Sequence, residues 1–173
     1  MTDFSDRRRT ILFFFLISVF CVVSVLSTRL ATPFPRIMFP STGGLYHDVQ
    51  EFRLNGLPIF IETVTTTEAM AQGLGDRPSL ATDHGMLFVY PQSDIYPFWM
   101  RHMKFSLDII WFQDGKIIDV GYNVLPPKHL LDVPVTHTPI GPATHVLEVP
   151  AGQAAEYGLI PGSDIVLQPF SQH

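Results

Sequence analysis

Two apolar segments joined by Asp114-Gly115 constrain the fold of this chain most strongly. Leu107–Phe112 precedes the dipeptide and Lys116–Tyr122 follows it. Asp-Gly supplies the two positive φ angles that a tight turn requires, so we predict an antiparallel hairpin. Asn55-Gly56 predicts a second hairpin within residues 52–64 for the same reason.

Two further segments have the composition of buried strands. Gly85–Tyr90 is continuously apolar, as expected for a strand covered on both faces, and Pro91 is expected to end it. His145–Val149 is a strand that Pro150 ends, and its Glu148 fits a position that alternates toward solvent.

Two short helices are predicted between the strands. Thr65 and Glu68 fit a capping box, in which Thr65 caps the helix and Glu68 reaches back, and Gly73 is a natural stop. The second helix spans residues 151–157 and ends at Gly158. Many short strands and only two short helices predict a mainly β fold, a small β-sandwich or barrel.

An N-terminal apolar helix is predicted to precede this domain. Residues 11–27 carry no charge and follow Arg7-Arg8-Arg9, which places the N-terminus of the helix in the cytoplasm. Two interpretations stay open: a signal peptide with Val25-Leu26-Ser27 as its cleavage site, or a membrane anchor slightly short of the roughly 20 residues that span a bilayer. Both predict an exported domain on the periplasmic or cell-envelope side of the cytoplasmic membrane.

The chain is predicted to have three parts. Residues 1–27 are the signal peptide or anchor, and residues 28–48 are an extended linker that contains three prolines and Gly43-Gly44. Residues 49–170 form the β-rich domain.

Charge and cysteine usage exclude several classes of protein. The chain of 173 residues has a net charge of −5, and because residues 1–27 contribute +1, the remainder carries −6. Without clustered Lys or Arg, it lacks the electrostatic footprint of a nucleic-acid binder. The only cysteine, Cys21, lies in the leader, so the domain has neither a disulfide nor a thiolate nucleophile. We predict no cofactor.

The stretch 98–103, Phe-Trp-Met-Arg-His-Met, is the predicted ligand site. It combines one of the two tryptophans with a cation, an imidazole and two thioethers. We expect Phe98 and Met100 to anchor in the core, while Trp99 and the tail Arg101-His102-Met103 face the ligand.

Two more charged residues are predicted to belong to this site. Asp108 starts an apolar strand, and a buried carboxylate needs a partner. Arg77 is the best candidate, either as a structural ion pair that holds helix to sheet or as part of the ligand pocket; alternatively, Asp108 caps nearby backbone N–H groups. The ligand would be a small molecule, a glycan or a peptide, and its predicted binding residues are Arg77, Trp99, Arg101, His102 and Asp108.

Several ordered motifs resemble the domain-of-unknown-function 192 family over roughly residues 50–168: Gly73-Leu74, Arg77, Leu80, Gly85-Met86-Leu87-Phe88, Phe98-Trp99-Met100, Leu107-Asp108-Ile109, Val146-Leu147-Glu148 and Gly162-Ser163-Asp164. The resemblance implies a small β-rich domain, often behind a signal peptide or anchor, and implies no established activity. The family usually continues Phe-Trp-Met with Lys-Asn-Thr, where this chain has Arg101-His102-Met103. The family also usually has Pro before Leu-Asp-Ile, where this chain has Ser106. We expect this member to differ in ligand preference at the 101–103 tail.

Three other functions are alternatives to the binding module. Thioethers and imidazoles suit Cu(I), which makes a copper site conceivable from His84, Met86, Met100, His102 and Met103, although Met86 and Met100 fit core positions better. A cell-envelope hydrolase would need paired carboxylates, for which Asp108 and Glu148, with Asp164, are the candidates. A structural or assembly factor at the membrane would act through protein partners. Because no catalytic motif is present, the sequence favours a non-catalytic domain.

Overall fold

The computed structural model describes residues 49–129 and 132–170. The predicted leader and linker, residues 1–48, lie outside the described residues, and the division of the chain at residues 27 and 48 stays a prediction. Within the described part of the chain, no helix has the length and apolarity to cross a membrane.

The described residues form nine strands and two short helices. In chain order they are β1 (Val49–Leu54), β2 (Leu57–Val64), α1 (Thr67–Gln72), β3 (His84–Asp94), β4 (Phe98–Trp99), β5 (Leu107–Gln113), β6 (Lys116–Val124), β7 (Thr136–His137), β8 (Ala143–Pro150), α2 (Gln153–Glu156) and β9 (Leu167–Pro169).

Seven of these strands form one mixed sheet in the order β6-β5-β8-β3-β2-β1-β9, and β4 and β7 pair as a separate ribbon. The neighbours β2 and β3 are parallel, while the other pairs in the sheet are antiparallel. The prediction of a mainly β fold with two short helices is confirmed. The sheet is open, because its end strands β6 and β9 do not pair with each other. The start of β6 is joined to residues 162–165 only by local backbone hydrogen bonds and the isolated bridge between Lys116 and Asp164. The alternative of a closed barrel is therefore wrong.

Both predicted hairpins are present. β5 and β6 pair across Asp114-Gly115, whose φ angles are 50° and 75°. β1 and β2 pair across Asn55-Gly56, with φ angles of 49° and 90°. These turns form where the sequence places residues that tolerate positive φ.

Several predicted boundaries differ from the structure, among them those of the second helix, which was predicted over residues 151–157 and spans Gln153–Glu156. β3 continues past Pro91 and ends at Asp94. Its register with β8 shifts between Val89 and Asp94. The strand tolerates Pro91 in this irregular stretch, because the missing proline N–H is not needed for a regular ladder hydrogen bond there. The first helix is capped by Thr66 rather than Thr65, since the Thr66 hydroxyl accepts from the Ala69 backbone N–H at 3.3 Å.

The central strands are covered on both faces. On the first face, Met86, Phe88, Val146 and Ile109 form part of an apolar cluster against which α1 and the chain at residues 100–103 pack. On the second face, α2 contacts β5 and β8. All six residues from Leu107 to Phe112 are consequently buried.

On the second face, the buried carboxylate of Asp108 connects three segments through hydrogen bonds. It is 1% exposed, and one carboxylate oxygen accepts from the backbone N–H groups of Gly152 at 2.8 Å and Ala154 at 2.9 Å. The other oxygen accepts from the Asn123 N–H at 2.7 Å. The side chain thus joins β5 to the end of β6 and to the start of α2. The pairing of Asp108 with Arg77 is wrong, and the alternative that Asp108 caps backbone N–H groups is right.

Replacing Asp108 by Ala is expected to lower the free energy of unfolding by about 3 kcal/mol or more, because three N–H donors in a covered region lose their acceptor. Arg77→Ala is expected to cost only about 1–2 kcal/mol, because Arg77 is partly exposed and its true partner, described below, also keeps contact with water. Urea unfolding of both variants, followed by circular dichroism, compares the two losses. A larger loss of unfolding free energy for Arg77→Ala than for Asp108→Ala would contradict the assignment of Asp108 as the main buried acceptor.

Candidate functional site

The ribbon of β4 and β7 presents Trp99 to solvent. Phe98 points inward and meets Phe88 and Trp111 edge-on, with ring centroids 4.8 and 5.9 Å away. Its neighbour Trp99 is 55% exposed, and Met100 is buried. The predicted division between anchoring and outward-facing residues therefore holds for these three positions.

Met103 departs from that prediction, since it is buried in the apolar cluster rather than turned toward solvent. The chain reverses between Met100 and Met103, where the Met103 N–H donates to the Met100 carbonyl at 3.2 Å. His102 adopts a φ of 59° within this turn. The reversal returns Met103 to the core and leaves Arg101 and His102 exposed.

The turn at Asp76 fixes the exposed stretch in place. The Asp76 N–H donates to the His102 carbonyl at 2.9 Å, and the Lys104 ammonium donates to the Asp76 carbonyl at 2.8 Å. The imidazole Nδ1 of His102 lies 3.5 Å from an Asp76 carboxylate oxygen. The Arg101 guanidinium lies 5.9 Å from the centre of the Trp99 ring, within cation–π range.

A groove of about 380 Å³ opens between this stretch and the chain that follows β6. Its lining is rich in cationic side chains and prolines, and comprises Arg101, His102, Met103, Lys104, Pro126, Pro127, Lys128, His129, Asp132 and Pro134. Two predicted ligand-binding residues, Arg101 and His102, lie in it. Lys104 and Lys128 were not predicted, because no local pattern links two lysines that are 24 positions apart in the sequence.

Arg77 does not line this groove. Its guanidinium binds the Glu62 carboxylate on β2 through two bonds, Nη1 to Oε1 at 2.5 Å and Nη2 to Oε2 at 2.8 Å. The hydrogen bond to Glu62 raises the pKa of Arg77. The predicted structural ion pair between the α1 region and the sheet exists, with Glu62 rather than Asp108 as the partner. Because Arg77 follows Asp76 directly, this pair also anchors the turn that holds the groove wall.

Glu148 on β8 is a buried acid that the sequence does not reveal. It lies on the first face between Met86 of β3 and Ile109 of β5, and it is only 5% exposed. Among the described residues, no side chain or backbone group hydrogen-bonds to its carboxyl group. Burial raises the pKa of Glu148 to about 8, against the opposing effect of the Arg77 charge. Burial thus favours the neutral form of Glu148, and the expectation that it faces solvent is wrong.

The candidate carboxylates do not form a hydrolytic pair. Asp108 is opposite Val149 in the ladder, whereas Glu148 is opposite Ile109, so the two side chains leave opposite faces of the sheet. Asp164 is exposed and bound to the Lys116 ammonium at 2.7 Å.

The candidate copper ligands have other partners. Met86, Met100 and Met103 belong to the apolar cluster, and the half-exposed His102 lies beside Asp76. His84 stacks on Phe60 and contacts Asp83. Within residues 49–129 and 132–170, no three His, Cys, Asp or Glu side chains are grouped so that they could hold a metal ion.

The open mixed sheet with two short helices defines the chain as a β-rich domain without a recognisable catalytic pair in its described part. The sequence profile of DUF192, described as "Uncharacterized ACR", matches residues 50–167, and the chain belongs to this family. No curated protein matches it.

Two crystal structures are similar to the chain. One is a candidate transcription regulator from Sinorhizobium meliloti 1021, with 26% identity and a TM-score of 0.63, covering 72% of this chain and 98% of its own. The other is a protein of unknown function from Novosphingobium aromaticivorans DSM 12444, with 28% identity and a TM-score of 0.59, covering 75% of this chain and 90% of its own. Neither description names a ligand or a reaction.

Glu148→Gln is expected to stabilise the protein by an amount that grows with pH. The folded state keeps the Glu148 proton up to about pH 8, whereas the unfolded chain releases it near the ordinary value of 4.5, so ionisation favours unfolding throughout this interval. The difference in unfolding free energy should grow by up to about 1.4 kcal/mol per pH unit, since glutamine does not titrate. Urea unfolding of both proteins at pH 5, 6, 7 and 8 measures it. If the unfolding free energies of the wild type and Glu148→Gln change with pH in parallel, a buried neutral Glu148 is ruled out.

Proposed function

We propose that this domain is a non-catalytic binding module that holds an anionic ligand in the groove beside Trp99. Its described residues contain six lysines and arginines. Arg77 is paired with Glu62, and Lys116 with Asp164. Of the four others, which have no carboxylate partner among the described residues, three line the groove: Arg101, Lys104 and Lys128. This concentration of unpaired cations in an acidic protein carries the proposal.

The chemistry of the lining favours carboxylate or phosphate groups. The Arg101 guanidinium can engage two oxygens of one anion, while the Lys104 and Lys128 ammoniums act as point charges. The exposed Trp99 ring offers a flat apolar platform beside Arg101, whose guanidinium lies 5.9 Å from the ring centre. The ligand would then be an anionic small molecule, an acidic peptide or a charged glycan. Trp99, Arg101 and His102 remain proposed ligand contacts, whereas Arg77 and Asp108 have structural partners elsewhere.

Hydrogen bonds within the protein support one wall of the groove. Asp76 holds the backbone of His102, and the bidentate bond between Arg77 and Glu62 holds the Asp76 turn on the sheet. A preformed wall lowers the ordering entropy that binding must overcome. The prolines at positions 126, 127 and 134 restrict the opposite side of the groove in the same way.

We further propose that the domain acts on the periplasmic or cell-envelope side of the cytoplasmic membrane. Support comes from Arg7-Arg8-Arg9 before the uncharged run 11–27, which is the arrangement of an exported or membrane-anchored protein. Either a cleaved signal peptide or a retained anchor is compatible with the proposed binding role.

Calorimetric titration of the full chain with inorganic phosphate, citrate, glucuronate and an aspartate-rich peptide tests the groove. We expect at least one probe to bind, and its affinity to fall at least about tenfold in an Arg101→Gln/Lys128→Gln variant, because charge-assisted hydrogen bonds are lost. Binding should also weaken as salt is raised.

Arg53→Gln is the matched control, since Arg53 is exposed, has no carboxylate partner among the described residues and does not line the groove. Its affinity for the probe should equal that of the wild type. Binding of none of the four probes, or equal weakening in Arg53→Gln, would refute an anion site in this groove.

A further inference from the structure

Large exposed apolar side chains flank the lining residues of the groove in the sequence. Val133 is 91% exposed and lies between the lining residues Asp132 and Pro134. Leu125, which is also exposed, directly precedes the lining residue Pro126. Exposed apolar side chains grouped beside a groove are a common feature of surfaces that bind another protein, a ligand or a membrane.

Trp99 adds an amphipathic ring to this region. In the ribbon it is opposite Thr136 and turned away from the core that Phe98 fills. Tryptophan prefers the boundary between the headgroups and the acyl chains of a bilayer, because its ring is apolar and its indole N–H is a donor. Trp111, the other tryptophan, is buried and donates its N–H to the Tyr96 carbonyl at 2.8 Å.

We propose that the groove and its apolar border form a docking surface for an anionic phospholipid bilayer. The surface consists of the cations Arg101, Lys104 and Lys128 and the apolar residues Trp99, Leu125 and Val133, and we call it the basic–apolar surface. The proposal rests on the proposed anion-binding function and names the source of the anion: the phosphate groups of lipid headgroups bind the three cations, while the apolar side chains enter the interface.

Charge decides how the domain would be oriented. The chain outside the leader carries a net charge of −6, so most of its surface is repelled by anionic lipid. Asp132 lines the groove together with the cations and Asp76 lies beside it, so their two carboxylates offset part of the positive charge of this surface. Arg101, Lys104 and Lys128, which have no carboxylate partner among the described residues, outnumber these two carboxylates and therefore favour the basic–apolar surface as the side that approaches the membrane.

A membrane anchor before the domain would allow the basic–apolar surface to dock on the bilayer even if its own affinity for lipid is low. If residues 11–27 remain as an anchor, the linker of residues 28–48 can separate domain and bilayer by at most about 70 Å when fully extended. A tether of this length keeps the local lipid concentration high, so a few cations and apolar side chains are sufficient for docking.

Fluorescence of Trp99 tests the docking directly. The full chain is reconstituted into vesicles of brominated phosphatidylcholine, either alone or mixed in equal parts with phosphatidylglycerol. Because Trp111 is buried, bromine can quench only Trp99, and Trp99→Phe provides the baseline. We expect quenching with a blue shift in the anionic vesicles at low salt, and loss of both at high salt.

Variants that keep the N-terminal segment but change the surface show whether quenching comes from docking or merely from tethering to the membrane. Arg101→Gln/Lys104→Gln/Lys128→Gln should abolish the quenching, whereas the matched variant Arg53→Gln should retain it. Absence of quenching in the wild type, or equal quenching in the two kinds of vesicle, would overturn the docking surface.

Failure of docking and failure of the proposed function give different results. If phosphate or citrate binds in the groove and no vesicle quenches Trp99, the anion-binding function stands and the lipid assignment is wrong. If neither soluble anions nor anionic vesicles bind, both are wrong. Binding of glycerol 1-phosphate without docking would assign the groove to free phosphate esters.

Discussion

Burial of both faces of β5 and β8 is the constraint on which the rest of the structure depends. Polar groups in these strands cannot be solvated, so each must be satisfied inside the protein or kept neutral. Asp108 meets this requirement as an acceptor for three backbone N–H groups where α2 begins and β6 ends. Glu148 has Met86 and Ile109 beside it, which donate no hydrogen bonds, and it retains its proton instead.

A continuous series of contacts connects this sheet with the proposed binding groove. Glu62 on β2 holds Arg77, and the adjoining Asp76 holds the backbone of His102 and the ammonium of Lys104. The ion pair therefore positions the groove wall although neither of its residues reaches the groove. Arg77 and the Phe98–Met103 stretch are thus linked through Asp76, although Arg77 does not line the groove.

The proposed function depends on the surface rather than on the fold. Membership of an uncharacterised family identifies the architecture and leaves the ligand to be argued from side chains. The residues at which this chain departs from the usual family pattern, Arg101-His102-Met103, lie along the groove wall. If the proposed groove binds a ligand, this wall is where the preference of this chain would be set.

Local chemistry made part of the structure predictable. Asn55-Gly56 and Asp114-Gly115 produce their hairpins because the required φ angles are properties of the residues themselves. Gly73 ends α1 with a φ of 49° for the same reason. The inward and outward positions of Phe98 and Trp99 also followed from the alternation of neighbouring side chains in an extended segment.

The tertiary structure decided which distant residues meet. The parallel pairing of β2 with β3, the partner of Arg77 and the burial of Glu148 depend on strand order, which no local pattern encodes. Lys104 and Lys128 become neighbours of one groove only after the sheet brings their loops to the same edge of the domain. The sequence by itself determined the turns, the strands and the outward tryptophan, because these depend on contacts within a few residues. The sites depended on contacts between residues far apart in the chain, and only the folded sheet fixes those.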